Sequence, residues 1–234
     1  MSQAKRSVFR EYFEALVVAG LFLGFTNTFV LKTFYIPSGS MEDTLLIGDH
    51  LFVNRYLYGP TTTKLEQALF PSRKIRRGDI VIFRSPETPE VDLVKRCVAL
   101  PGDEVEVIDK ELWINGEKVE DSSYASRRDP RVLPRRSRFS KQTIPRDNYG
   151  PLTIPESNYF CMGDNRDHSH DSRFWGTLPE HYVKGRAFMI YWSYGGGTSD
   201  GNWYGWGERL KQLGKTTLGF ATKTRWRRTL KIIR

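Results

Sequence analysis

Ser40 stands in the run Pro37-Ser38-Gly39-Ser40-Met41, nine residues past an uncharged apolar stretch that ends at Leu31. A serine becomes a nucleophile only with a base to take its proton, donors for the oxyanion, and a tight backbone that exposes Oγ. Pro37 and Gly39 could supply that turn. Taken alone, Ser-Gly-Ser is ordinary loop composition, so the base decides. The chain has four histidines, His50, His168, His170 and His181. His168 and His170 flank Ser169 between Asp167 and Asp171, which suggests a triad or a metal cluster. Alternate residues in a Gly- and Asp-rich loop diverge, however, and read as surface polar groups. Lys95 is the better base. It lies in a strand-like run, residues 91–98, whose alternation aims it with Leu93 and Cys97 at one face and Val94, Arg96 and Val98 at the other. Among apolar neighbours a lysine loses hydration and its pKa falls. Bringing it from about 10.4 to about 8 takes roughly 3 kcal/mol of differential destabilisation of the ammonium, within what burial provides. The plain alternative is a lysine snorkelling from a strand end into water. The chemistry in view is acyl transfer by a serine with a lysine base.

Past Ser40 the pattern is short apolar runs bounded by Gly, Pro and Asp, which predicts strands over residues 51–56, 80–84, 91–100, 105–108 and 187–192. Asn115-Gly116 between two short runs predicts a hairpin over 112–119. Residues 64–70 are the one short helix expected here. Between 121 and 158 apolar residues thin out while Arg, Ser and Pro accumulate, predicting a mobile polar insertion. Residues 195–201 form a Gly-rich break. The end that follows holds Trp203, Trp206, Trp226, Arg227 and Arg228, and could lie on a bilayer or fold back onto the body. There is no internal repeat.

Residues 15–31 carry no charge over 17 positions, a span of roughly 25 Å as helix. A buried core helix would want a polar face, and only Thr26, Asn27 and Thr28 interrupt the run. A cleavable leader would need a small-x-small site, which residues 31–35 do not offer. Lys5, Arg6 and Arg10 precede the run and Lys32 alone follows it, so the positive-inside rule puts the N-terminus in the cytoplasm and Ser40 outside. The expected order is a cytoplasmic N-terminus at 1–14 and a transmembrane helix at 15–33. A β core follows in two parts, 34–120 and 159–194, around the insertion at 121–158, with a tail from 195 to 234.

With 234 residues, 39% hydrophobic and 27% charged, the chain reads as globular. Its net charge of +9 is unevenly placed. Residues 208–234 hold nine Lys/Arg against one Glu, and residues 121–150 hold eight against three Asp. Those excesses of eight and five leave about four net negative charges elsewhere, so a nucleic-acid partner has little support, and solvated loops or anionic lipid head groups fit better. Neither Cys97 nor Cys161 has a second ligand at metal spacing. No metal or other cofactor is expected, and both cysteines read as small buried hydrophobes, with a disulfide between them the alternative.

Four segments in order carry a family resemblance: PSGSMEDTL at 37–45, RGDIVIFR at 77–84, VKRCVALPGD at 94–103 and YFCMGDNRDHSHDSR at 159–173. With the apolar N-terminus they cover roughly residues 10–192, and together the chain resembles the type I signal peptidases, membrane-anchored Ser/Lys proteases that remove signal peptides from exported proteins. The resemblance implies Ser40 as nucleophile, Lys95 as general base, and Ser169 as the serine that hydrogen-bonds and orients the lysine. It also implies an oxyanion hole from the Ser40 backbone N–H and the Ser38 hydroxyl. Asp171, Arg173 and Arg96 match residues that buttress the site by charge pairing, and Gly163, Asp164 and Asn165 match the loop that holds it. The implied fold is mainly β, a signal-peptidase-like core with a smaller β insertion and one N-terminal transmembrane helix. The implied partners are signal-peptide-bearing preproteins cut after small residues, with membrane lipid and the secretion translocon as further candidates. Two departures stand out: the family often has Pro where this chain has Asp43, and a plain aliphatic where Cys97 stands. The rival readings are a self-cleaving Ser/Lys protease of the SOS-repressor type, disfavoured by the membrane span and the lack of a DNA-binding module, and a non-catalytic membrane-anchored β protein.

Overall fold

The computed structural model describes residues 8–25, 31–54, 73–134, 144–196, 214 and 216–233. The helix expected at 64–70, most of the Gly-rich break, Trp203 and Trp206 lie outside these residues. The chain opens with α1 (Val8–Phe25) and continues into a mainly antiparallel β fold. The larger sheet runs β1 (Leu31–Tyr35), β2 (Asp49–Asn54), β11 (Val183–Ser193), β3 (Ile80–Arg84), β4 (Asp92–Ala99), β9 (Asn158–Met162), β10 (Leu178–Pro179). A two-residue strand, β12 (Lys231–Ile232), pairs with β11. The smaller sheet runs β7 (Glu117–Lys118), β6 (Glu111–Ile114), β5 (Glu104–Ile108), β8 (Tyr149–Thr153).

Side-chain periodicity explains the layering. β2 buries Asp49, Leu51 and Val53 and leaves His50, Phe52 and Asn54 half-exposed, the alternation of a strand covered on one face. In contrast, the first four residues of β3 are all buried, because apolar clusters cover both faces there. Ile80, Ile82 and Val94 join Ile36, Met41, Leu45 and Leu51 on one side, while Val81, Phe83, Cys97 and Cys161 pack on the other. A third cluster, around Val98, Val105, Leu112 and Phe160, fastens the small sheet to the ends of β4 and β9.

Two hairpins build the small sheet. Asn115 and Gly116, at φ 54° and 79°, make the turn between β6 and β7 where the sequence predicts it. Asp109 and Lys110 make the same kind of turn between β5 and β6 at φ 47° and 73°. That turn carries no Gly and gives no sequence signal. Its unusual lysine is held by a buried ion pair to Asp167 at 2.6 Å.

Two expectations change, and one alternative left open is resolved. Residues 31–33, assigned above to a transmembrane helix, belong to β1, where Leu31, Lys32 and Thr33 pair with Asn54, Val53 and Phe52. Because α1 begins at Val8 it includes Arg10, Glu11 and Glu14, and no helix among the described residues is long and apolar enough to cross a membrane. The insertion is not simply a solvated loop: residues 149–153 form β8 on the small sheet, and Asp121 and Asp147 are buried against Arg127 and Arg146. The tail folds back. Residues 216–223 are helical, Thr224 bridges Tyr194, Ile233 enters the core, and Arg228 meets the buried Asp49 at 2.6 Å.

Candidate active site

Ser40 sits in a 3-10 turn, Gly39–Met41, whose neighbours anchor it: Ile36, Met41 and Leu45 are fully buried in the core. Ser40 itself is only partly buried and lines a cleft of about 550 Å³ together with Ser38, Gly39, Leu93 and Lys95. Lys95 comes from the middle of β4, opposite Val81 on β3. It is 3% exposed, and its Nζ donates to Ser40 Oγ at 2.6 Å. Two residues 55 apart in the chain therefore meet as the sequence reading requires.

Burial lowers the Lys95 pKa from 10.5 to about 8. Desolvation is the largest cause and Arg173 adds to it, and together they outweigh the upward pull of Asp171 and Asp164. Such an amine is neutral in a substantial fraction near neutral to mildly basic pH, so it can accept a proton from a hydroxyl it touches.

The loop after β9 closes on the Ser40 turn. Asn165 donates its backbone N–H to the Ser40 carbonyl at 3.1 Å and its Nδ2 to the Gly39 carbonyl at 3.2 Å. Asp164 accepts from Thr44 Oγ1 at 2.6 Å and, bidentately, from Arg96 Nε and Nη2 at 2.9 and 2.8 Å. A Cβ on Gly163 would overlap the Ser169 hydroxyl and the Ser40 carbonyl oxygen, so only glycine lets the two segments come this close. Asp171 is fully buried; it accepts from the Gly163 N–H at 3.0 Å and pairs with Arg173 at 2.8 and 2.9 Å. Burial alone would raise the Asp171 pKa, yet Arg173, Lys95 and the Gly163 N–H hold it down at about 2.

The remaining expected residues fall as follows. Ser38 is exposed at the cleft with an extended backbone (φ −128°, ψ 156°). Ser169 is buried beside Gly163, and its hydroxyl makes no hydrogen bond among the described residues. His168 and His170 reach the rim of the cleft, but Ser40 Oγ is engaged by Lys95, and His170 is turned to Glu87 at 2.7 Å. Among the described residues no group of His, Cys, Asp and Glu could hold a metal ion. Cys97 and Cys161 face each other across β4 and β9 as buried free thiols.

Sequence reasoning missed the part played by the insertion. Ser126 forms a parallel bridge with Asn165, donating to the Asp164 carbonyl at 2.7 Å and accepting from Arg166 at 3.0 Å. The Tyr124 ring lies 4.3 Å from the Arg96 guanidinium. Arg166 meets Asp121 at 2.7 Å, with both side chains buried. From the same segment Arg128 reaches over the cleft mouth to Asp43 at 2.8 Å and Glu42 at 3.3 Å. Asp43 has φ 81°, a conformation closed to the Pro common in the resembling family. The clustered arginines of 121–131 were the available signal, but composition does not reveal which carboxylates they meet.

The chain also resembles known proteins. The family described as signal peptidase, peptidase S26, matches residues 9–192. Signal peptidase I of Pseudomonas aeruginosa is 34% identical over 194 residues, covering 72% of this chain and 67% of that protein. Signal peptidase I of Aquifex aeolicus is 30% identical over 222 residues, covering 76% and 81%. The solved signal peptidase I of Enterococcus faecalis V583 is 32% identical and covers 49% of this chain and 97% of that one, at a TM-score of 0.36, too loose a likeness to bear on the fold.

Proposed function

Because the chain belongs to the signal peptidase family, peptidase S26, and is a serine endopeptidase that removes signal peptides, we propose that Ser40 and Lys95 perform the cleavage. The observation that carries this is the 2.6 Å contact between Lys95 Nζ and Ser40 Oγ in an open cleft. Neutral Lys95 takes the Ser40 proton as Oγ attacks the scissile carbonyl; the peptide C–N bond breaks and the new amine leaves with a proton from Lys95. A water deprotonated by the same amine then cleaves the ester. The Ser40 N–H and the Ser38 hydroxyl, both at the cleft, stabilise the oxyanion. The buried Ser169 hydroxyl, unpartnered among the described residues, accepts from the Lys95 ammonium once it has taken up the proton. Arg96, Asp171 and Arg173 fix the field around Lys95, and Gly163, Asp164 and Asn165 fix the Ser40 turn.

The substrate is an extended segment paired to strand edges, with small side chains at the residue before the cut and two earlier, since alternate residues of a strand point the same way. The described residues of α1 are exposed, Phe9, Tyr12, Phe13 and Leu16 among them. The apolar side chains of α1 that stand exposed among the described residues, together with the uncharged run at 15–31, support anchorage in a membrane by the N-terminal segment, N-terminus inside and cleft outside. On this reading Ser40 lies where a preprotein emerges beside lipid and translocon.

Acid-quenched reaction with a preprotein carrying Ala at both recognition positions tests the chemistry. Mass spectrometry should find the acyl group on the Ser40 peptide. An adduct on another residue would refute the assignment.

A further inference from the structure

The cleft carries a charge that the acyl transfer does not use. Arg128 lines it, and its guanidinium meets Asp43 at 2.8 Å and Glu42 at 3.3 Å, just past Ser40. The backbone around Arg128 is pinned from both sides. Arg127 grips the buried Asp121 with two bonds of 2.8 and 2.9 Å, and the Asp129 N–H donates to Asp167 at 2.7 Å. The neighbouring arginines pair within the insertion, Arg131 with Asp129 and Arg146 with Asp147. Arg128 is directed instead at the Ser40 turn, and its side chain is 53% exposed there.

Strand edges decide which part of a substrate meets it. The Cys97 N–H and carbonyl bond Asp79 and Gly78, on the β3 side of β4. By alternation the N–H and C=O groups of Asp92 and Val94 point the other way, and β9 pairs with β4 only from Arg96 onward. That open edge, with the extended Ser38, suits the residues before the cut. The residues after the cut then meet the rest of the lining, where Glu42, Asn165 and Arg128 form one hydrogen-bonded group. Within it Glu42 already accepts from Asn165 at 3.4 Å as well as from Arg128. Exposed ion pairs such as those of Arg128 are worth little, so an incoming carboxylate takes the guanidinium over at small cost. The planar fork of an arginine also matches a carboxylate in shape.

We propose that Arg128 is a specificity-determining residue that pairs with an acidic side chain of the preprotein within about three residues past the cut, roughly 10 Å of extended chain. Mature ends that begin with Asp or Glu there are favoured. The proposal rests on the Ser40–Lys95 reading for where the cut falls.

The test uses the full chain in detergent and preprotein peptides that differ only by Gln, Glu or Lys at each of the positions in that window. At one of them Glu should be cut with kcat/KM roughly two- to fivefold above Gln, mostly through KM, and the gap should close in high salt. Arg128→Gln should bring that Glu-to-Gln ratio to about 1, and Arg128→Glu should favour Lys by a similar factor. Asp43→Asn removes a competitor for Arg128 and should widen the ratio. A residue that merely braces the Ser40 turn behaves otherwise. If Arg128→Gln slows every peptide alike and leaves the ratio standing, or if the unsubstituted enzyme prefers Glu at none of the positions, the proposal is overturned. Binding of the same peptides to Ser40→Ala, followed by fluorescence anisotropy, repeats the comparison without cleavage. The affinity ratio should appear there and vanish when Arg128→Gln is added. Cleavage persisting in Ser40→Ala would fault the Ser40 assignment and leave the charge pairing to stand or fall on the ratios.

Discussion

In the proposed mechanism Lys95 serves as a base because the fold makes its charge expensive. The native state releases the Lys95 proton near pH 8 and the unfolded chain at the ordinary 10.5, so between those values the unfolded state binds more protons and stability rises with pH. Below pH 8 the buried ammonium costs about 3 kcal/mol relative to a neutral amine. Lys95→Met should therefore abolish cleavage and raise the melting temperature at pH 7, with the gain shrinking as pH approaches 10.5; calorimetry across that range measures it. In the unsubstituted enzyme kcat/KM should climb with pH through about 8 as the amine is freed. Asp171 has the opposite sign: its pKa is held at about 2, so its stabilisation is full above the ordinary carboxylate value of 3.8 and fades as pH falls through 2. Asp171→Asn leaves Arg173 buried without its charge partner and should cost about 3–5 kcal/mol in urea unfolding. Gly163→Ala must push Ser169 or the Ser40 carbonyl aside. It should lower kcat by roughly a hundredfold while costing about 1–3 kcal/mol of stability.

At the scale of elements, the insertion braces the loop after β9, which carries residues of the proposed site. Tyr124, Ser126 and Asp121 hold Arg96, Asn165 and Arg166, and Lys110 of the small sheet holds Asp167. Tyr124→Ala strips the aromatic cover from Arg96 and should reduce kcat more than it raises KM, in steady-state cleavage, because the groups it supports position Ser40 without touching substrate. The strands around Lys95 were legible in sequence, since alternation and short apolar runs are local signals, and so was the Asn115-Gly116 hairpin. The Asp109-Lys110 turn was not, because its left-handed lysine is held by a carboxylate 57 residues away. For the same reason the arginines of 121–131 looked like solvated charge: a buried pair depends on a distant partner that composition cannot name.

Taken whole, the described residues form two antiparallel sheets with an N-terminal helix and a C-terminal strap. The strap depends on Asp49, which is fully buried and bonded to Ser193, the Leu46 N–H and Arg228. Arg228→Ala should destabilise by about 3 kcal/mol, lowering the melting temperature by roughly 6–12 °C for a chain of this length. The sequence left the tail free to lie on lipid or on the body because its Trp and Lys/Arg pattern suits both; buried Asp49 and Ile233 decide which side faces inward. The central claim, a serine activated by a buried lysine, is tested most directly by preprotein cleavage in detergent with Lys95→Ala, folding being checked by circular dichroism. A folded Lys95→Ala enzyme should lose cleavage by ~10⁴-fold or more, as should Ser40→Ala, while the His168/His170 double alanine variant keeps cutting. Cleavage retained in folded Lys95→Ala would contradict the account.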